Sequence, residues 1–115
     1  MTNEKKGYIS LHRQIADHWL YPNRREFTEM EAWIDLLLSV NHSEQKLRIK
    51  NRLLTCSPGQ TLRSIQNWAT RWRWTKPRTY RFLQILADEE MIFIENEGVT
   101  SRITILNWTK YQHSD

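Results

Sequence analysis

A chain of 115 residues, 39% apolar and 26% charged with a net charge of +4, has the makeup of one globular domain around a single core. Its longest candidate stretch, Ile34–Leu38, is interrupted by Asp35 and far short of the ~18 residues of a membrane helix, and MTNEKKGYIS carries no apolar stretch of the kind that marks a secretory signal. A single cysteine, Cys56, excludes an internal disulfide and fits a reducing, cytoplasmic setting.

Residues 1–7 are polar, end in Gly7, and read as a flexible lead-in. Ser10 is placed to cap a short helix over Leu11–Trp19, with Leu11, Ile15 and Trp19 along one side. Pro22 stops that helix, because it lacks an N–H and restricts the residue before it. Thr28-Glu29-Met30-Glu31 then has the capping-box form. Met30, Trp33, Ile34, Leu37 and Leu38 follow at helical spacing, which predicts a well-buried helix over 29–40.

After a polar turn at 41–45, the alternation of Leu47-Arg48-Ile49-Lys50 and the apolar Leu53-Leu54-Thr55 predict one or two small strands. Ser57-Pro58-Gly59 is a tight turn. A helix is expected over roughly 62–72, with Ile65, Trp68, Ala69 and Trp72 on one face. Arg73-Trp74 breaks it, Thr75 offers an N-cap, and Pro77 sits in the first turn of the next helix, where a missing N–H costs nothing. That helix runs to about Asp88 and turns Thr79, Phe82, Leu83 and Leu86 inward. Met91–Glu95 and Arg102–Leu106 read as two strands, with Asn96-Glu97-Gly98 in the loop between them.

The charge is unevenly distributed. From Lys46 to Ala87 there are ten cations and no acid, whereas the remainder has seven cations against thirteen acids. A one-signed stretch of this length favours a polyanionic partner.

Two helices joined by a short break and followed at once by a β-hairpin make a winged helix-turn-helix: an α+β, mainly helical domain with a C-terminal hairpin wing. The segment WATRWRWTKPRTYRFL then has a physical logic. Trp68 and Trp72 fall one turn apart on the inner face and Trp74 plugs the turn, while the arginines between them leave the apolar stripe. On the second helix Lys76, Tyr80, Arg81 and Gln84 lie opposite the buried face, where a recognition helix presents side chains to a major groove. Arg81 has the fork to contact guanine, Gln84 suits adenine, and Tyr80 suits a thymine methyl or a phosphate. Arg71, Arg73, Arg78 and Lys76 are expected to meet phosphates, with Arg63 and Arg102 completing the basic set. The wing tip is a weaker grip, because Glu95 and Glu97 face only Arg102.

The segments GYISLHRQI, WIDLLLSVNH, SPGQTLRSIQNWA, TKPRTYRFLQILADEEMI and ITILNWTKYQ, in that order, resemble the N-terminal winged-helix domain of phage and plasmid replication initiators. These are the replisome organisers often coupled to DnaD-type primosome proteins. The resemblance spans nearly the whole chain, and ITILNWTKYQ is similar to that family's closing signature. It implies duplex DNA binding at an origin, often with self-association as a homodimer, while a further C-terminal part recruits the replication machinery. The chain stops just past that signature, so two expectations stand: the N-terminal part of a longer initiator, or a small stand-alone protein.

Enzymatic and metal chemistry find no support. His12, His18, His42 and His113 lack ligand spacing with Cys56 or one another, and no P-loop, G-x-S-x-G or H-E-x-x-H occurs. Asp35 sits mid-helix among leucines without a partner carboxylate. No cofactor and no membrane partner are expected. The alternatives to replication are transcriptional regulation and a protein-interaction or dimerisation role carried by Tyr8, Ile9, Leu11, Trp19 and Tyr21.

Overall fold

The computed structural model describes residues 9–111. The expected lead-in over 1–7, along with Tyr8, Gln112 and His113, lies outside the described residues. Among the described residues the fold is α+β, with three main helices, a closing helical turn and two small antiparallel sheets. No described helix is long and apolar enough to cross a membrane.

The chain opens with a 3-10 turn, Arg13–Asp17, in place of the expected helix over 11–19. The side chain of His12, not of Ser10, accepts the N–H of Gln14, and a second histidine, His18, bonds the N–H of Leu20. Leu11 and Trp19 are exposed and Ile15 is half-buried, so no apolar stripe exists to hold a longer helix against the core. The segment is instead tied down where Arg13 donates to the Leu38 carbonyl.

Helix α1, Glu29–Ser39, begins at the expected capping box: Thr28 Oγ1 accepts the Glu31 N–H at 3.2 Å, and Glu31 Oε1 accepts the Thr28 N–H at 2.9 Å. Its inner face holds Ala32, Asp35 and Leu36. Met30, expected inside, is exposed, because the buried positions fall on the Ala32–Leu36 side of the helix.

A two-stranded hairpin follows, β1 Gln45–Ile49 with β2 Arg52–Cys56, and then the four-residue strand β3, Gln60–Arg63. Between them Gly59 adopts φ +81, and a Cβ placed there would lie 2.8 Å from Trp108 Cγ. Both the dihedral and the close approach call for glycine. Helix α2, Ile65–Trp72, starts later than expected because Ser64 is its N-cap, accepting from Asn67. The apolar Leu62, which extends the helical spacing backward, belongs to β3. Arg73, in the left-handed region at φ 60, closes α2. Thr75 caps helix α3, Lys76–Asp88, by accepting the N–H of Arg78, and Pro77 sits in its first turn. Strands β4, Ile92–Asn96, and β5, Ser101–Ile105, form a hairpin, and a single helical turn, Trp108–Tyr111, ends the described chain.

The strand order in the second sheet is β3-β5-β4. The pairing of Thr61 with Ile103 and of Ile103 with Ile94 puts those side chains on one face. Ile92, Ile103 and Ile105 join Leu36, Trp68, Trp72, Trp74, Phe82 and Leu83 in the main core. Trp68, Trp72 and Trp74 are interior, as expected: ring centroids are 5.1 Å apart for Trp68–Trp72, 5.1 Å for Trp72–Trp74 and 5.2 Å for Trp74–Phe82. Trp74 Nε1 donates to the Phe27 carbonyl at 2.8 Å, so the plug in the α2–α3 turn is also satisfied as a donor. A second, smaller cluster of Leu54, Cys56 and Leu62, with Leu47, Ile49 and Val99 against it, fixes the β1–β2 hairpin on the other face of the sheet.

Candidate nucleic-acid interface

Helix α3 is divided along its length. Thr79, Phe82, Leu83 and Leu86 are buried, and the four-residue spacing of Lys76, Tyr80 and Gln84 carries those three side chains along another line of the cylinder. Arg81 lies beside them. Lys76, Tyr80 and Arg81 are exposed, Tyr80 at 53%, and Gln84 is half-buried. A phenol ring that open, next to charged neighbours, is accessible to a partner.

Lys76, Tyr80 and Gln84 form one wall of an open cleft of about 450 Å³. The floor and opposite wall are Ser64, Ile65 and Gln66 at the start of α2, and Ile94, Asn96 and residues 98–101 of the β4–β5 hairpin. The cleft thus runs between α3 and the hairpin. Its polar lining is neutral apart from Lys76: hydroxyls, amides and a phenol. The loop at its rim is held in shape by Asn96 Oδ1, which accepts the Gly98 N–H at 2.8 Å, and by the Glu97 N–H donating to the Thr100 carbonyl at 2.9 Å. Ser64, Asn96 and Ser101 carried no signal as site residues, since each reads from sequence as a cap, a turn or a strand end.

The arginines divide into two groups. Arg81 is exposed on α3 beside the Lys76–Tyr80–Gln84 line, and Arg73 is exposed at the end of α2, where its Nη2 donates to the Asn23 carbonyl at 3.2 Å. Arg78 is engaged twice, pairing with Glu26 at 2.8 Å and lying 4.2 Å over the Trp74 ring. Arg63 lies 5.1 Å over Trp68 and donates to Asn67 Oδ1 at 3.2 Å.

Two arginines of the expected DNA-binding set are held by carboxylates of the fold. Arg71 donates through Nε to Asp35 Oδ2 at 2.6 Å and through Nη2 to Oδ1 at 2.8 Å, a bidentate pair to a fully buried carboxylate. Tyr21 Oη and Trp72 Nε1 complete the shell at 2.5 and 2.8 Å. Asp35 is the hidden determinant: an ion buried in α1 needs a cation, and Arg71 is the one within reach. Burial alone would push its carboxyl up. The hydrogen bonds from Arg71, Tyr21 and Trp72 outweigh that and hold it below the ordinary carboxylate range. Arg102, with a side chain only 13% exposed, donates to Glu97 Oε2 at 2.9 Å, Gln60 Oε1 at 2.9 Å and the Thr55 carbonyl at 2.6 Å. It is a strut between the β1–β2 hairpin and the sheet.

Among the described residues no group of three or more His, Cys, Asp and Glu is placed to hold a metal ion. No protein-family model, curated protein or solved structure matches the chain.

Proposed function

We propose that this protein is a winged helix-turn-helix that binds duplex DNA, with α3 as the helix that enters the major groove. The order α1, β3, α2, α3, β4, β5 and the sheet order β3-β5-β4 support that reading of the fold. So does the short break between α2 and α3, closed by left-handed Arg73 and plugged by Trp74.

The observation that carries the functional reading is the line of Lys76, Tyr80 and Gln84 along an open cleft, with exposed Arg81 beside it. Arg81 and Gln84 supply the donors and acceptors that read base edges. The cleft takes one sugar-phosphate strand: hydroxyls, amides, a phenol and a lysine are the groups that commonly bond phosphate oxygens. In this reading Arg73, Arg78 and Arg63 act as positioning charges, while Arg71 and Arg102 serve the fold. Origin recognition in phage- or plasmid-type replication initiation, in the cytoplasm, is the role suggested by the resemblance in the chain's five segments. No catalytic step belongs to this reading.

Fluorescence anisotropy of labelled duplexes between 50 and 200 mM salt tests it. About six phosphate contacts predict a loss of affinity of about a thousandfold over that range. Absence of binding to any duplex, or binding indifferent to salt, would overturn it.

A second reading has its own observation. Ile9, Leu11, Trp19 and Leu20 are each exposed, apolar side chains of one short segment that suit a partner protein or a second copy. Tyr21, expected in that surface, is instead half-buried against Asp35. Sedimentation of Trp19→Ser beside the wild type separates the readings: concentration-dependent association lost in the variant supports an interaction surface there, and identical monomeric behaviour removes it.

A further inference from the structure

The β4–β5 hairpin occupies the position of a wing but does not have a wing's charge. Glu95 and Glu97 sit at its end, and its arginine, Arg102, is occupied by Glu97 and the neighbouring hairpin. The cations lie one hairpin over. Lys46, Arg48, Lys50 and Arg52 fall within seven residues of β1 and β2, and no acid lies between Gln45 and Cys56.

Their placement is sorted by the strand period. Register pairs Leu47 with Leu54 and Gln45 with Cys56, so that face carries Leu47, Ile49, Leu54 and Cys56 onto Leu62 and Val99. Lys46 and Arg48 alternate to the opposite, exposed face, across from Thr55 and Leu53. The turn is two residues long, with Lys50 at φ 47 and Asn51 at φ 67, the positive values a tight hairpin turn requires. Asn51 Oδ1 accepts from Arg48 Nη2 at 2.9 Å. Arg52 alone points back, donating to the Glu97 carbonyl in the loop that also rims the cleft. The basic hairpin is therefore anchored to the same loop that α3 faces, and its position relative to α3 is set.

We propose that the β1–β2 hairpin is a second DNA-gripping arm, in which Lys46, Arg48 and Lys50 contact phosphates of the duplex beyond the stretch entered by α3. The proposal rests on the duplex-binding reading and assigns to this hairpin the cationic backbone contact that the acidic end of the β4–β5 hairpin, Glu95 and Glu97, is unsuited to make. Charge complementarity selects the occupant: three cations without a compensating acid on a rigid two-stranded ribbon. Lys46 and Arg48, two residues apart on one face, have Cα atoms about 6.6 Å apart along the strand.

The test uses the variant Lys46→Gln/Arg48→Gln/Lys50→Gln, whose sites are all exposed, with Lys50→Gln alone as a milder companion. Duplex affinity is measured against salt, with thermal unfolding as a check on folding. The slope of log affinity against log salt is expected to become shallower by about two to three for the triple variant and about one for the single, with sequence preference unchanged. If both variants keep the wild-type slope and affinity while Arg81→Ala still weakens binding, the arm is refuted and the α3 reading survives. If the wild type binds no duplex, both fall together.

Discussion

Arg71 reaches across from α2 to clasp Asp35 of α1, with Nε 2.6 Å from Oδ2 and Nη2 2.8 Å from Oδ1. The pair spans 36 positions of sequence and joins α1 to the α2–α3 pair. A surface arginine replaced by alanine changes stability by roughly half a kilocalorie per mole or less. Breaking a buried, hydrogen-bonded pair costs about 3–5 kcal/mol, because an uncompensated charge stays inside. Urea unfolding of Arg71→Ala should therefore show a loss of that order, as should Asp35→Ala. Because each single change already breaks the pair, the double change Asp35→Leu/Arg71→Met should cost less than the sum of the two singles. Near-zero loss for Arg71→Ala would mean the arginine is a surface residue after all.

The same carboxylate gives stability a pH dependence. Its folded pKa lies below the ordinary value, so its contribution is fully present above about pH 4 and is lost as pH falls through the folded value. Glu31 acts in the same direction. The hydrogen bond from Arg25, followed by those to Thr28, outweighs the effect of burial and brings Glu31 down to about 2. Unfolding free energy should fall steadily between about pH 4.5 and pH 2, and Asp35→Asn should lower stability at neutral pH while flattening that acid slope. A wild-type slope retained in the Asn variant would assign the acid loss elsewhere.

Gly59 is constrained twice, by φ +81 and by Trp108 Cγ, which stands 2.8 Å from where an alanine methyl would sit. It also holds the chain crossing, donating to the Asn41 carbonyl and accepting from the Ile105 N–H, each at 2.9 Å. Gly59→Ala should cost at least about 1 kcal/mol, read from the urea midpoint, and should blue-shift or broaden the Trp108 contribution to fluorescence. Gly98→Ala, where the nearest atom is the Arg52 guanidinium at 3.4 Å, should cost less.

Local rules make much of this fold readable from sequence. The Thr28 capping box, the Trp68–Trp72 spacing, the Thr75 cap with Pro77, and the closing hairpin each depend on neighbours within a few residues. What escapes depends on partners far away. Strand β3 is four residues long and exists because β5 pairs with it; alone, Leu62 simply continues a helical stripe. At the chain start, His12 bonds locally and Arg13 reaches Leu38, contacts that leave Leu11 and Trp19 outside and break the helix their spacing suggests. Helical position alone sets Lys76, Tyr80, Arg81 and Gln84 away from the buried face of α3. It gives no warning that Arg71 answers to Asp35, because an ion pair 36 residues apart leaves no periodic trace.

Base reading by Arg81, with Lys76, Tyr80 and Gln84 alongside, is the claim on which duplex recognition turns. Selection of bound duplexes from a random pool, run in parallel with wild type and Arg81→Ala, tests it most directly. The wild type is expected to enrich a defined site, and Arg81→Ala to enrich the same site with preference relaxed at one base pair, at a cost of about 1–3 kcal/mol. Enrichment of no sequence by the wild type, or an Arg81→Ala profile identical at every position and merely weaker, would contradict it.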